Sequence, residues 1–372
     1  RGWGPLEPYD FSMPEHLHHQ GIITHLVTDH YHYWEDGGQH YMQRYITYGF
    51  VRGQELDPWK PLVRTPEFPK VDRFLCTVQH QKNRGFLRDP EDWPMHRTFS
   101  GGLEFLDLNA EEDNWLLHIE TFDPHEPFYA PANYREKARA YAEKHGIRER
   151  CDWPPYGRNG SVEAHGITPE QEELCRLEYA ALLAFCDDQL GRLLDAMDRH
   201  RLWDDTMLIV NTDHGFLLGE KGLIAKCFMP FYNELARIPL FIWDPRTGVK
   251  GERRQSLTQT IDLPATLLEF FGVEPPPEAV IQGRSLRPAI ERDEPVREAG
   301  LFGMFGAELH VVTNDGFVGI FPPDLDVPLA ARTLSFGTKT NFRPLDSIGR
   351  RQNDRAYTFT QDLELLKLPE SQ

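Results

Sequence analysis

Three short stretches hold residue types that can do polar chemistry together. The first follows an apolar run ending at Val210 and reads Asn211-Thr-Asp-His-Gly215. A carboxylate beside an imidazole, Asp213 with His214, suits a divalent metal, and Gly215 lets the backbone turn sharply. A turn capped by Asp213 accounts for the same letters. The second stretch is Gly219-Glu-Lys-Gly222, then Lys226, then Tyr232-Asn-Glu-Leu-Ala-Arg237. A Lys beside such a glycine-bounded loop can bind an oxyanion as a point charge; the plainer alternative is a solvated surface Lys. The third is Thr121-Phe-Asp-Pro-His125-Glu-Pro-Phe128. Two prolines fence His125 into what reads as a rigid extended loop, which suits an imidazole placed for proton transfer. Asp29, His30, His32, Glu35 and Asp36 form a dense cluster. It reads as a pocket-wall loop in which His30 or His32 touches substrate, rather than as a second metal site. Arg52 and Asp57 read as an ion pair that holds a loop. His16, His18 and His19 read as surface or packing residues of a short helix.

These groups need elements to place them. Apolar runs at 21–27, 115–119, 207–210 and 238–243 read as strands buried on both faces, as in a parallel sheet covered by helices. A long helix is expected from Thr168-Pro-Glu-Gln171, a capping box with Pro at the first helical position. It continues through an apolar stripe of Tyr179, Leu182, Leu183, Cys186, Leu190, Leu193, Leu194 and Met197. A helix over 134–145 should stop at Gly146, and another after Asp262 at Gly272. Strands alternating with helices imply a doubly wound α/β fold, whose ligands bind beyond the carboxyl ends of the strands. Residues 148–166, with "CDWPPYGRNGS", read as an irregular excursion. After Asp293, "GLFGMFGAELHVVTNDGFVGIF" reads as short antiparallel strands with a turn at 314–316. The expected division is 1–292 for the main domain and 293–372 for a smaller α+β subdomain.

Composition bounds the function. The chain has 372 residues, with 40 Lys+Arg against 58 Asp+Glu and a net charge of −18. That excess of acid opposes general binding to nucleic acid or to an anionic membrane, though cations local to a cleft can still hold a small anion. No apolar run reaches the roughly 18–20 residues of a spanning helix. The five cysteines, Cys76, Cys151, Cys175, Cys186 and Cys227, are widely spaced with no C-x-x-C. They read as reduced thiols rather than a disulfide scaffold or a zinc site.

Taken together, the blocks resemble the sulfatase family of the alkaline phosphatase superfamily. The order is "TDHYHYW" at 28–34, "RGQELDPW" at 52–59, "DPHEPF" at 123–128, "DDQLGRLLD" at 187–195, "TDHG" at 212–215, "GEKGLIAK" at 219–226, "YNELARIPLFI" at 232–242, "DLPATLLEFFG" at 262–272 and "GRSL" at 283–286. The resemblance implies an alkaline-phosphatase-like, mostly parallel sheet between helices, and metal-dependent hydrolysis of a sulfate monoester on a small molecule or a saccharide. It implies Asp213 and His214 as ligands of one divalent cation, Ca²⁺ before Mg²⁺ or Mn²⁺. Lys226 becomes the sulfate-binding Lys that offsets charge on the leaving oxygen. His125 becomes the His that binds sulfate or protonates the leaving group, with His32 as a further substrate contact. Fixed cations at those points stabilise the charge that develops in the transition state.

The family's nucleophile motif, Cys/Ser-x-Pro-x-Arg, which supplies a formylglycine, occurs nowhere in the 372 residues. The resemblance therefore implies an upstream segment carrying both that motif and a first strand with paired metal-binding acids. Without it, the sheet is expected to show open edges, the cation to keep two protein ligands, and the chain alone to be inactive. Two other readings stand beside this one: a phosphonate monoester hydrolase or phosphodiesterase of the same superfamily, and a non-catalytic truncated protein.

Overall fold

The computed structural model describes residues 6, 10–34, 40–64, 78–148, 151, 153–154, 160–226, 231–303, 309–314, 316 and 318–321. Glu35, Asp36, Cys76, Cys227 and residues 322–372 lie outside them. Locally encoded signals fix the helix ends. The longest helix, Pro169–His200, starts at the Thr168/Gln171 capping box, with both reciprocal hydrogen bonds formed. The helix Glu136–Lys144 ends just before Gly146, and Asp262–Phe270 just before Gly272; both glycines have positive φ.

In chain order the elements are α1 (Met13–His19), β1 (Ile23–Thr28), β2 (Thr47–Phe50), α2 (Val78–Arg84), α3 (Pro94–Asn109), β3 (Trp115–Glu120), α4 (Glu136–Lys144), α5 (Val162–His165) and α6 (Pro169–His200). There follow β4 (Leu208–Asn211), β5 (Leu217–Leu218), β6 (Ile224–Ala225), α7 (Asn233–Ala236), β7 (Leu240–Trp243), α8 (Asp262–Phe270), α9 (Arg287–Arg292), β8 (Ala299–Gly303), β9 (Leu309–Thr313) and β10 (Val318–Phe321).

The architecture is α/β. A parallel sheet of order β2-β1-β3 is set against helices, with Ile23 opposite Trp115 and His25 opposite Thr47. The run 238–243, expected in a parallel sheet, instead gives β7, which pairs antiparallel with β4 in a separate two-stranded ladder, Ile209 opposite Ile242. Strand direction is decided by distant partners, and an apolar run carries no mark of it. Burial also differs from expectation. β1 is mostly buried, but β3, β4 and β7 are largely half-buried, and Phe241 is 68% exposed. β3 and β4 each have one edge on which no described strand pairs.

The core lies on α6. Leu174, Leu182 and Phe185 pack with Met95, Phe128, Trp153 and Ile224; one helical stretch further on, Leu193, Ala196 and Met197 pack with Phe105 and Leu106 of α3. Leu183, expected in the buried stripe, is 47% exposed. The face buried at helical spacing runs Leu182, Phe185, Gln189, Leu193, Ala196, and a step of one residue from Leu182 leaves it. Arg135 reaches the buried Glu178 of α6 with two bonds of 2.6 Å, a fork-to-fork pairing that compensates a desolvated carboxylate.

Beyond residue 293, β8, β9 and β10 form the expected antiparallel meander. Gly316, at φ 87°, donates to the Thr313 carbonyl at 2.9 Å in its turn. Cys151 and Cys175 are buried and Cys186 is half-buried.

Candidate active site

The site assembles where strands end. β1 runs into Asp29, His30 and His32, β3 into the 121–128 turn, and β4 into Asp213 and His214; β6 runs directly into Lys226. The 121–128 segment is a turn rather than the expected extended loop. The His125 amide donates to the Phe122 carbonyl at 3.1 Å, and both X–Pro peptide bonds flanking His125 are cis.

Lys226 and His125 meet. Nζ of Lys226 lies 2.6 Å from Nε2 of His125 and 3.3 Å from Oε2 of Glu126. Nδ1 of His125 lies 2.6 Å from the backbone carbonyl of Glu126, which can only accept. Nδ1 therefore carries the proton, and Nε2 accepts from the Lys226 ammonium. Burial first, and the Lys226 charge second, hold the imidazole well below its ordinary pKa, with His214 and His32 near enough to lower it further. Burial pushes the Glu126 carboxyl up to about 7 against the opposing pull of Lys226. The pair is thus a neutral imidazole against an ammonium, with one half-ionised carboxyl behind them near pH 7.

Asp213 and His214 stand beside this pair. His214 donates its backbone N–H to Oδ1 of Asp213 at 2.8 Å, and its Nδ1 lies 2.9 Å from the Gly215 carbonyl. That leaves Nε2 with a free lone pair, the form in which an imidazole ligates a metal. The Asp213 side chain is 82% exposed. Among the described residues no group of three or more His, Cys, Asp or Glu side chains gathers as a metal cage. Two donors fall short of the six to eight oxygen ligands that Ca²⁺ takes, so the described residues do not by themselves fit a cation.

Gly215 serves a different purpose from the expected sharp turn. Its φ is not in the left-handed region, but a Cβ there would lie 1.8 Å from the Glu234 carbonyl oxygen. Its amide donates to the Leu235 carbonyl at 2.8 Å. Glycine is required by the close approach of α7.

His32 lies on the same rim, its Nε2 3.6 Å from Glu55 and its ring 5.7 Å from that of Phe122. His30 stacks on Phe122 at 5.0 Å. Arg52 grips the buried Asp57 through Nε at 2.8 Å and Nη2 at 2.6 Å, and the Gly53 amide adds a third donor. Of the groups beneath the site, the sequence suggested only Asp29, as part of a pocket-wall loop, and gave no role to Gln54, Asp123 or Glu120. Asp29 is fully buried, accepting from the Phe122 amide at 2.6 Å and from Gln54 at 3.1 Å; the same Gln54 nitrogen donates to Asp123 at 2.9 Å. Burial raises the Asp29 carboxyl well above its usual range, with the Asp123 charge adding to it, and burial pushes Asp123 up to about 7. Gln54 thereby ties three loops together. Glu120 at the end of β3 accepts from Tyr33 at 2.6 Å and Thr28 at 2.8 Å. The signal available for these residues was position alone, since Asp29, Gln54 and Glu120 all sit at or just beyond a strand's carboxyl end.

A family model described as Sulfatase matches residues 3–273. This chain belongs to the sulfatase family. Within the alkaline phosphatase superfamily it is 31% identical over 202 residues to the multifunctional protein PehA of Trinickia caryophylli, covering 49% of this chain and 38% of that protein. It is 25% identical over 317 residues to the choline-sulfatase of Rhizobium meliloti, covering 77% of this chain and 59% of the relative. This sulfatase-family chain therefore spans between about two fifths and three fifths of the length of these relatives. Its fold is that of the phosphonate monoester hydrolase of Silicibacter pomeroyi, with a TM-score of 0.59 at 20% identity over 87% of this chain and 75% of that one. That likeness covers the α/β architecture.

Proposed function

We propose that the protein hydrolyses sulfate monoesters of a small molecule or a saccharide. Residues 1–292 would be its catalytic part and 293–372 an appended subdomain. The observation that carries this reading is the 2.6 Å contact between Lys226 and His125 beside His214, a positive group and a proton carrier facing one space at the strand ends. In this reading a sulfate oxygen takes the place of His125 Nε2 as acceptor of the Lys226 proton. Lys226 then offsets charge on the sulfuryl oxygens as the oxygen of an incoming nucleophile bonds to sulfur and the S–O bond to the alcohol breaks. The imidazole, kept neutral in the free protein by burial and by Lys226, gains proton affinity once the anion screens that charge. Protonated at Nε2, it gives the proton to the departing alkoxide oxygen, while the Glu126 carbonyl holds Nδ1–H and fixes which nitrogen faces the substrate.

A divalent cation, Ca²⁺ before Mg²⁺ or Mn²⁺, would rest on Asp213 and His214 together with donors from outside the described residues. The motif that supplies the nucleophile in the resemblance, a formylglycine, does not occur among these 372 residues. The test is the protein carried with its native flanking sequence, assayed side by side on 4-nitrophenyl sulfate and bis(4-nitrophenyl) phosphate. Preference for the sulfate is expected. Preference for the diester would replace this reading with that of a phosphodiesterase, and no turnover of either with that of a non-catalytic protein.

A further inference from the structure

One backbone angle beside the site is at odds with its residue. Ala225, the last residue of β6 and the one before Lys226, has a φ of 101° and is fully buried. At such an angle an L-residue crowds its Cβ against a neighbouring carbonyl oxygen, and alanine stays there only where its surroundings force it. An ordinary strand angle lies near about −120°. A rotation of that size about the N–Cα bond of Ala225 would redirect everything that follows, beginning with Lys226.

The surroundings hold the chain from several sides. β6 pairs antiparallel with β5, Leu217 opposite Ala225 and Leu218 opposite Ile224. The Gly219 amide closes the turn between them on the Leu223 carbonyl at 2.8 Å, and the Glu220 carboxylate accepts from the Leu218 amide at 2.6 Å. Leu223 also bridges to Ser161, the N-cap of α5. Successive side chains then go to different places. Ile224, fully buried, joins the core of Phe128, Leu174 and Phe185. The Ala225 methyl packs with Leu217 and with Leu235 of α7. Lys226 turns to the 121–128 segment, where its ammonium meets His125 and Glu126. The backbone is thus fixed by a hairpin before Ala225, by a methyl at Ala225 and by a charge contact after it.

We propose that Ala225 is a positioning residue for Lys226: its methyl, seated between β5 and α7, locks the backbone in the strained rotation that carries the ammonium to His125. The role rests on the reading of Lys226 as the group that offsets charge on the sulfuryl oxygens. Side-chain size is bounded on both sides. Glycine would take the same φ without strain, but it has no methyl to seat and enters negative φ as readily. A larger side chain would be more crowded at this φ and would overfill the space between Leu217 and Leu235. Strain held in this way sets a cation in place before substrate arrives, so that little reorganisation is left for the transition state. It also separates two properties that usually fall together. Removing a buried methyl ordinarily weakens a fold and leaves chemistry elsewhere intact; at Ala225 its removal relieves strain and unlocks the site.

The test is Ala225→Gly, with Ala130→Gly as control, since Ala130 is 1% exposed and has no positive φ. In urea unfolding of residues 1–372, the control should lose about ten-fold in its folding constant, whereas Ala225→Gly should lose less than about three-fold, or gain. In the same chain, with the imidazole neutral, the nitrogen-15 resonance of His125 Nε2 is displaced by the Lys226 hydrogen bond. In Ala225→Gly it should move towards its position in Lys226→Ala. With the native flanking sequence present, kcat on 4-nitrophenyl sulfate should fall by about ten-fold or more. A loss of stability equal to the control's, a His125 resonance unmoved from the wild type, or an unaltered kcat would each overturn the proposal. A wild-type protein without turnover would overturn the hydrolase reading and with it the role in the reaction, while the resonance would still decide whether Ala225 places Lys226.

Discussion

Replacing Glu126 by Gln isolates one buried ionisation and gives it a number. The carboxyl lies 3.3 Å from both Lys226 Nζ and His125 Nδ1, and the residue is 3% exposed. Burial moves it from an ordinary 4.5 to about 7 in the folded protein. A raised carboxyl means that the fold holds the proton more tightly than the unfolded chain does. Below about pH 4.5 both states are protonated and nothing is lost. As pH rises from there to about 7 the unfolded chain ionises first, and folding loses stability; above 7 the loss is complete. At ~1.4 kcal/mol per tenfold change in proton affinity, the full loss is about 3 kcal/mol. Glu126→Gln removes this titration while leaving Asp123, which also titrates near 7, in both proteins. Urea unfolding followed by tryptophan fluorescence from pH 4 to pH 8 should show the variant gaining on the wild type by about 3 kcal/mol across that range. A difference that stays flat with pH, or that moves against the variant, would show that the Lys226 attraction outweighs desolvation and would refute the reasoning.

Three further substitutions probe other links. Lys226→Ala in the protein with its flanking sequence should lower sulfate ester turnover by about 10²–10³-fold, and by leaving the buried Glu126 carboxyl without its cation it should also lower the thermal unfolding temperature. Loss of the neighbouring charge should also raise the His125 pKa in a proton NMR titration. Gly215→Ala places a Cβ against the Glu234 carbonyl and should cost about 3 kcal/mol in urea unfolding. Thr168→Ala removes the side-chain acceptor for the Gln171 amide and should cost about 1 kcal/mol, read as a lower urea midpoint with an unchanged slope.

What could be read from the letters followed the range of the interactions that encode it. The start of α6 lies in Thr168, Pro169 and Gln171, and the ends of α4 and α8 in Gly146 and Gly272, because a helix terminus is settled by residues within one turn. The α/β class and the three chemical stretches came the same way, through apolar runs followed by polar strand ends. The direction of β7 was not legible, since Ile238–Trp243 looks alike whichever way its partner runs. Leu183 was placed on the buried face because its neighbours were, and one residue of helical rotation decided against it. The Asp29–Gln54–Asp123 group was hidden more deeply. It exists only because three loops from β1, β2 and β3 converge, and none of its members is adjacent to another in sequence.

The contact between Gly215 and α7 has a consequence for motion. The amide of Gly215 is bonded to the Leu235 carbonyl, and its α-carbon rests against the Glu234 carbonyl, while Lys221 holds the Glu234 side chain at 2.6 Å. The loop bearing Asp213 and His214 is therefore geared to a short helix whose far side is reached from the 219–222 turn. A ligand that stiffens either one should quiet the other in step, and a disturbance at Lys221 should register as loosened Asp213 and His214.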